Sequence, residues 1–518
     1  MNTGAKDATR SEHRTTFKEG LKLYPKAIGW SMLLSMTIIM EGYDLVLVNS
    51  FYAFPAFRKA YGVPTANGYE ITTSWQSALT NGAFIGEILG LLFSGLLTER
   101  FGYRYTIVGS LVALALFIFP AFFAFDIGTL MASQVLCGLP WGVFQTLSTT
   151  YAADVVPMHL RAYLTSSVNL CWLIGQLIGL GVLRGAVHVS SEWSYRIPFG
   201  LQWAWAVPLA IAIMFAPESP WWLVRHERYE QAKRSLTRLT KRDGDFNIDG
   251  SIELMKHTTQ VEKDFGSGVS YRDCFRGTDL RRTEITCMVW TTQTLCGLPM
   301  TSYATYFYLQ AGITTEAAFD LSVGMYALAI LGNLLSWSVM RVVGRRTLYL
   351  WGCAACTIIM FVAGCVGLAP DSPAIAWSLG SLIILFTFLY DVTIGPVCYS
   401  LVAEIPSTRL RVKTVVLARV AYNIAFMIAG VLMPYMLNPT AWNWRGKTCF
   451  FWAGTSFLCF VWCFFRLPEP KGLTYMELDL LFEKRANARK FRSFQQNLAS
   501  TGYFSLHTRD GVDGWADR

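Results

Sequence analysis

Carboxylates lie inside apolar stretches of this 518-residue chain, among them Glu41, Asp44 and Glu87. Glu41 and Asp44 are three residues apart in the apolar run 28–50, so on a helix they share one face. Glu87 lies in the run 76–97, about 17 Å from its outer end at 1.5 Å per residue. Lipid disfavours each charge by a few kcal/mol, so such side chains are expected to face a watery cavity or a cationic partner. The pattern predicts a proton or substrate pathway, although Asp44 could instead reach toward the membrane surface.

A basic partner for these acids is available in the run 414–436, where Arg419 is the charged residue. Counted by the helical rise, Arg419 lies about 10 Å from the inner surface of the membrane and Glu41 about 21 Å from it. This difference in depth leaves Asp391, in the run 375–400, as an alternative partner for Arg419.

The elements that must position these residues are membrane-spanning helices, because 53% of the residues are hydrophobic and only 15% are charged. An even number of spans places both termini on one side, and most of the 44 lysines and arginines fall in the loops and tails of that side. By the positive-inside rule that side is cytosolic, so the net charge of +9 reflects topology and not binding to nucleic acid. The twelve predicted spans are 28–50, 76–97, 105–126, 129–151, 163–184, 199–216, 285–308, 318–340, 347–369, 375–400, 414–436 and 447–466.

The sequence contains no pattern typical of an enzyme or of an ATP-driven pump. There is no phosphate-binding loop, no cluster of residues with metal-ligand spacing and no nucleophile constellation. All six histidines fall in predicted loops or tails, and of the twelve cysteines only Cys274 lies outside the apolar spans. We therefore expect no enzymatic activity, no metal and no cofactor.

Short motifs recur in the same order in the two halves of the chain. Gly102 and Gly344 each precede basic residues, Asp154 and Glu404 each precede an arginine by seven residues, and Pro-Glu motifs follow the sixth and twelfth spans. Each pair is separated by about 250 residues, which indicates a duplicated six-span unit. The predicted organisation is a cytosolic tail (1–27), a six-helix bundle (28–217), a cytosolic helical linker (218–283), a second six-helix bundle (284–466) and a cytosolic tail (467–518).

These duplicated motifs, with the segments 196–202 and 217–220, resemble the sugar porters of the major facilitator superfamily over all twelve spans. The segments 40–44, 81–87 and 136–142 are similar to those of fungal α-glucoside (maltose-type) proton symporters. The resemblance implies an all-α membrane protein of the plasma membrane that acts as a monomer and couples disaccharide uptake to protons. The alternatives are a carrier of another sugar, coupled or facilitative, and a carrier that senses sugar.

The resemblance also implies roles for particular residues. Glu41, Asp44, Glu87 and Arg419 are then expected to couple protons to transport. The residues expected to bind sugar are Gln176, Gln293, Asn333, Tyr399, Asn423 and Trp172, although each could instead join helices to one another. The residues expected to latch the cytosolic ends of the bundles, or simply to cap helices there, are Arg100, Asp154, Arg161, Arg345, Glu404 and Arg411. Two positions depart from the family pattern, since Gln134 replaces a common arginine and Met340 a common acid.

Overall fold

The computed structural model is almost entirely α-helical. It describes residues 20, 22–65, 68–156, 158–189, 191–241, 248–253, 255–256, 259, 271–370, 372–407, 410–471, 478 and 481–491. Most of the predicted tails 1–27 and 467–518, and part of the linker 218–283, lie outside the described residues.

The first half of the chain is built from long apolar helices joined by short connections. Its helices are α1 (Pro25–Ser35), α2 (Thr37–Phe51), α3 (Pro55–Tyr61), α4 (Thr73–Phe122), α5 (Ile127–Val155), α6 (Met158–Ala186), α7 (Trp193–Gly200) and α8 (Trp203–Met214). Between α3 and α4 lies an antiparallel hairpin of β1 (Val63–Thr65) and β2 (Gly68–Glu70). We call the side of the molecule that carries this hairpin the outer face.

The second half repeats this plan after two short helices, α9 (Pro220–Arg225) and α10 (Tyr229–Leu239), which lie on the opposite, inner face. Its helices are α11 (Gly277–Leu295), α12 (Leu298–Ser302), α13 (Ala304–Gln310), α14 (Thr315–Val342), α15 (Arg345–Val366), α16 (Pro373–Glu404), α17 (Arg411–Leu437) and α18 (Thr448–Arg466). Short 3₁₀ turns precede α11 and α18, at Tyr271–Phe275 and Arg445–Lys447, and a third lies at Ala488–Lys490.

Ten helices among the described residues are long and apolar enough to cross a membrane. The difference from the twelve predicted spans has two causes. Helix α4 has 50 residues and covers both the second and the third predicted span, with a kink at Gly102 (φ 83°). The seventh predicted span, 285–308, is divided among α11, α12 and α13, and the chain turns at Gly297 (φ 106°).

The duplicated motifs form the same structure in both halves. The Glu218 carboxylate accepts hydrogen bonds from the backbone N–H groups of Tyr103 (2.9 Å) and Arg104 (3.1 Å). In the second half, Glu469 accepts the equivalent bonds from the N–H groups of Arg345 (2.9 Å) and Arg346 (3.1 Å). A carboxylate therefore caps the part of α4 that follows Gly102 and, equivalently, the N-terminal end of α15, where the helix dipole favours negative charge. Burial raises the pKa of the Glu218 carboxyl, against the opposing effect of these N–H groups.

Candidate functional site

A small cavity lies between the two halves. Helix α6 supplies the lining from the first half, and α11, α12, α14, α16 and α17 supply the rest. The lining residues are Asn169, Trp172, Leu173, Gln176, Gln293, Leu298, Thr301, Tyr326, Thr387, Tyr390, Asp391, Tyr399, Arg419 and Tyr422.

Four of the six predicted sugar-binding residues line this cavity. Gln176 and Trp172 reach it from α6, and Gln293 and Tyr399 reach it from α11 and α16. The Nε2 atom of Gln293 donates a hydrogen bond to the carbonyl of Gly395 (3.2 Å), which orients the amide. The two glutamines therefore approach one cavity from opposite halves of the chain.

Two predicted sugar-binding residues lie elsewhere. Asn423 follows Tyr422, and successive helical residues point in directions about 100° apart, so Asn423 faces α4 while Tyr422 faces the cavity. Its Nδ2 atom donates to the Glu87 carboxylate (3.1 Å). Asn333 is seven residues along α14 from the cavity residue Tyr326; it is fully buried and its amide has no hydrogen-bond partner in the described part of the chain.

Polar residues that the sequence analysis did not assign to the sugar also line the cavity. Asp391, considered there only as a partner for Arg419, instead accepts a hydrogen bond from the Asn169 side chain (3.3 Å). This bond links the two halves, from α6 to α16. The available signal was weak, because Asn169 and Asp391 look like many other polar residues inside predicted spans.

Beside the cavity, a buried network joins Glu41 and Glu87 to Arg419. An Arg419 guanidinium nitrogen lies 3.8 Å from Glu41 Oε1, which also accepts hydrogen bonds from Trp172 Nε1 (3.0 Å) and Gln145 Nε2. Gln145 Nε2 donates to Glu87 as well (3.2 Å). The Gln145 carbonyl oxygen accepts from Arg419 Nε. Both carboxylates are almost fully buried, at 1% and 0% exposed.

Aromatic rings hold the guanidinium of Arg419 in place. It lies over the ring of Trp290, 4.8 Å from the centroid, and over Tyr422, 4.5 Å away. A buried cation gains from such ring faces as well as from its carboxylate partners. The arginine therefore joins the acid network to the aromatic wall of the cavity.

Close helix crossings bring the acids to these positions. A Cβ atom added at Gly42 would overlap the backbone of Trp172, and one added at Gly175 would overlap the backbone of Ile39. The absence of side chains there lets α2 approach α6 closely, so that Glu41 reaches the indole of Trp172. Gly86 and Gly138 meet in the same way and bring Glu87 on α4 toward Gln145 on α5.

Asp44 lies outside this network, in contrast to the expectation that it shares Arg419 with Glu41. Its carboxylate accepts a hydrogen bond from Gln202, just after α7, and Gln134 on α5 is a further neighbour. Asp44 is 1% exposed, so it does not reach the membrane surface either. The rotation of about 300° over three helical residues, together with the rise between them, is enough to give the two acids different neighbours.

Among the predicted gating residues, Arg345, Glu404 and Asp154 make polar contacts. Arg345 pairs with Glu404 (3.2 Å), and Asp154 accepts a hydrogen bond from the Ser219 hydroxyl (2.8 Å). Arg100 lies over the ring of Phe101. Arg411 is the first residue of α17, and the side chain of Arg161 lies outside the described part of the structure.

On the outer face the two halves are in direct contact. The hydroxyl groups of Thr80 on α4 and Tyr303 are 2.9 Å apart, and the rings of Tyr52 and Tyr303 stack with centroids 6.0 Å apart. Arg184 at the end of α6 forms an ion pair with Asp320 on α14 (2.6 Å). Tyr52 and Tyr303 are 0% and 1% exposed. The structure is therefore closed above the cavity, on the outer face.

A family model described as "Sugar (and other) transporter" matches residues 30–482. The chain belongs to this sugar transporter family. The transporter is 42% identical to a maltose permease of Saccharomyces cerevisiae over 497 residues, which cover 94% of this chain and 81% of the relative. It is also 42% identical to an alpha-glucosides permease of that yeast over 498 residues (94% and 83%). A general alpha-glucoside permease of the same species is 40% identical over 496 residues (94% and 80%).

Solved structures place the transporter in the major facilitator fold. The proton:xylose symporter XylE, bound to 6-bromo-6-deoxy-D-glucose, matches with a TM-score of 0.72 at 20% identity, over 89% of this chain and 99% of that one. An inward-open structure of XylE from E. coli matches with a TM-score of 0.70 over 88% and 99% of the two chains. The protein is thus a multi-pass membrane transporter and not an enzyme.

Proposed function

We propose that this transporter carries an α-glucoside disaccharide of the maltose type into the cell together with protons. The observation that carries the proposal is the cavity between the halves, in a chain that is 42% identical to a maltose permease over 94% of its length. The cavity combines amide groups from both halves with several aromatic rings. Sugars need hydrogen-bond donors and acceptors for their hydroxyls and an apolar surface for the ring face.

In this proposal Gln176 and Gln293 bind sugar hydroxyls from opposite sides, and Trp172 and Tyr399 cover the ring. Asp391 and Asn169 add an acceptor and a donor at the same cavity. We propose no direct sugar contact for Asn333 or Asn423, because neither residue lines the cavity. We further propose that the transporter acts as a monomer.

The proposed proton carriers are Glu41 and Glu87, with Arg419 as their cationic partner. Burial in the membrane favours the neutral acid, whereas a nearby guanidinium favours the anion. Glu41 and Glu87 belong to the first half of the chain and Arg419 to the second, so relative movement of the halves changes the balance between these two forms. Asp44 stays a candidate proton carrier, with Gln202 rather than Arg419 beside it.

The movement in this proposal is alternating access of two six-helix bundles. Helix α4 would then cross the membrane twice, and α11, α12 and α13 together would form one further crossing, which gives twelve crossings in all. The inner face and both termini would lie in the cytosol. The halves touch on the outer face, and nearer the inner face Trp337 Nε1 on α14 donates a hydrogen bond to Ser166 on α6 (2.9 Å), so this structure corresponds to a closed state of the cycle. The transporter then lies in the plasma membrane, because that is the membrane across which an external sugar is taken up.

The acid and arginine pairs of the inner face would latch the bundles in the outward-facing state. In this structure Glu404 pairs with Arg345 (3.2 Å), and Asp154 accepts a hydrogen bond from Ser219 (2.8 Å). Arg161→Ala should shift the resting population toward the inward-open state. Greater cysteine labelling of the variant from the cytosolic side would support this, and equal labelling of variant and parent would count against it.

Purified transporter in liposomes tests the proposal. With a pH gradient, acidic outside, labelled maltose should accumulate above its external concentration, and collapse of the gradient by an uncoupler should abolish that accumulation. Uptake that only equilibrates maltose, with or without the gradient, would support a facilitative carrier instead. Absence of maltose transport, with transport of another disaccharide, would reject the substrate while retaining the mechanism.

A further inference from the structure

Gln145 is the only side chain in the described structure that bonds to both buried glutamates and to Arg419. It lies on α5 and is 9% exposed. Its Nε2 atom donates to Glu41 Oε1 and to Glu87 Oε2 (3.2 Å), and its carbonyl oxygen accepts from Arg419 Nε. Gln145 carries no signal of its own in the sequence, because one glutamine inside a span resembles many others.

These contacts use both hydrogens of the Gln145 amide and leave it one orientation. If the amide were turned over, its NH₂ group would face the guanidinium, and two donors cannot form a hydrogen bond. The contact from Arg419 Nε to the amide oxygen therefore fixes the orientation. The present orientation requires that Glu41 Oε1 and Glu87 Oε2 act as acceptors. Any proton on these acids must then sit on the other oxygen of each.

Those other oxygens, Glu41 Oε2 and Glu87 Oε1, are buried and accept no hydrogen bond from the described residues. Two ionised carboxylates and one guanidinium would leave a net charge of −1 in a site closed to water. One bound proton neutralises the cluster, and the two unpaired oxygens are the positions where it fits. Further titratable groups of the described structure near this cluster are Tyr399 and Cys398 on α16 and Tyr422 on α17.

We propose that Gln145 is a positioning residue that makes Glu41, Glu87 and Arg419 a single proton-binding unit. This inference rests on the proposed proton coupling and deepens it. Gln145, Glu41 and Glu87 belong to the first half, so they move together as the halves rock, while Arg419 moves with the second. When Arg419 departs, the amide keeps both glutamates oriented, and neutrality then requires a second proton. When Arg419 returns, it displaces that second proton.

Gln145→Met tests the inference, because methionine has similar length but no amide to donate or accept. Without the two donated hydrogen bonds, the ionised carboxylates are less stable and hold the proton to higher pH. We expect the pH of half-maximal uptake to rise by about one unit and proton-driven accumulation of maltose to fall about tenfold. Exchange of labelled for unlabelled maltose across the membrane needs no net proton movement, so its KM should change less than about twofold.

Two further variants make the result decisive. Thr146→Val removes a hydroxyl on the same helix that donates to the Gly142 carbonyl (3.2 Å), and it should match the parent in every assay. Gln145→Asn keeps the amide but shortens its reach, and it should lie between the parent and Gln145→Met in its pH profile. If both Gln145 variants lose exchange as well as accumulation, the residue has a general structural role and the inference is wrong.

Measurements on the parent protein distinguish a failure of the proposed proton coupling from a failure of the role proposed for Gln145. A parent that shows no maltose-induced proton uptake would overturn proton coupling itself. A coupled parent beside a Gln145→Met variant with the same accumulation and the same pH profile would overturn only the role of Gln145. A raised pH midpoint with intact exchange is the outcome that supports it.

Discussion

Arg419 on α17 lies 3.8 Å from Glu41 on α2, so one ion pair joins the two halves of the transporter at the edge of its cavity. The helical rise placed these residues about 11 Å apart in depth. The long arginine side chain makes up part of that difference, and Trp290 and Tyr422 hold its end in position. Movement of the halves must therefore disturb this pair.

Removal of the charge on either glutamate should separate sugar exchange from proton coupling. Glu41→Gln and Glu87→Gln keep the shape of the side chain but cannot carry a proton. We expect uphill maltose uptake to fall to equilibration, while exchange of labelled and unlabelled maltose continues. Asp44→Asn, tested alone, shows whether Asp44, which lies outside the network, contributes to proton coupling. Accumulation at the parent level in both glutamine variants would exclude these acids.

Replacement of Arg419 should trap the proton instead of removing its site. Arg419→Gln withdraws the cation that favours the ionised carboxylates, so proton release to the inside becomes slow. Uphill uptake into vesicles buffered inside at about pH 7 should fail, and a more alkaline interior should partly restore it. Arg419→Lys keeps the charge but cannot reproduce the Nε contact to Gln145, and an intermediate activity is expected. A variant that stays inactive at every internal pH would contradict this explanation.

The two cavity glutamines should contribute to sugar affinity from opposite halves. Gln176→Ala or Gln293→Ala leaves buried sugar hydroxyls unpaired, at about 1–3 kcal/mol, and should raise KM about 5- to 150-fold. Asn333→Ala is the informative comparison, because Asn333 was expected to bind sugar but lies outside the cavity lining. A larger KM effect at Asn333 than at either glutamine would show that the sugar binds elsewhere.

Gly102 should tolerate no side chain. Its φ of 83° and ψ of 174° are restricted to glycine, and an added Cβ would lie 2.7 Å from the Glu218 carboxylate. Gly102→Ala should lose about 1–3 kcal/mol of stability and lower the melting temperature of the detergent-purified protein. Gly109→Ala is the matched control on the same helix, since a Cβ there meets no atom within 4 Å. Equal melting temperatures for the two variants would contradict this structure of the kink.

The hairpin on the outer face should respond to external pH. Burial raises the pKa of the Glu70 carboxyl, against the attraction of Arg58, which lies 2.5 Å away. Glu70 therefore becomes neutral at a higher pH than an exposed glutamate, and the ion pair is lost as the external pH falls through that raised pKa. We expect this loss to loosen the outer face, and Glu70→Gln should produce the same effect at neutral pH.

Labelling from outside measures that opening. Ser77→Cys places a reporter at the outer end of α4, and Cys365→Ser removes an exposed thiol that would interfere. The parent should label faster at low external pH than at pH 7, and Glu70→Gln should label at the fast rate at both. A variant that labels like the parent at both pH values would rule out Glu70 as the controlling group.

The sequence predicted the helices well because a bilayer requires long apolar segments, which hydropathy detects directly. It also predicted the duplicated inner-face motifs, because Gly102 and Glu218 mark fixed backbone positions. It could not predict helix rotation. Asn423 turns toward Glu87 while Tyr422 faces the cavity, and this follows from contacts between distant segments. Gln145 gave no signal for the same reason, since its role depends on three other helices.

The most direct test of the account is the pH of an unbuffered suspension of cells that express this transporter, recorded as maltose is added. If protons enter with the sugar, the medium should become alkaline promptly after maltose is added. Glu41→Gln and Glu87→Gln cells with the same amount of transporter at the surface should give no such signal. Maltose uptake without alkalinisation in parent cells, or an undiminished signal in both variants, would contradict it.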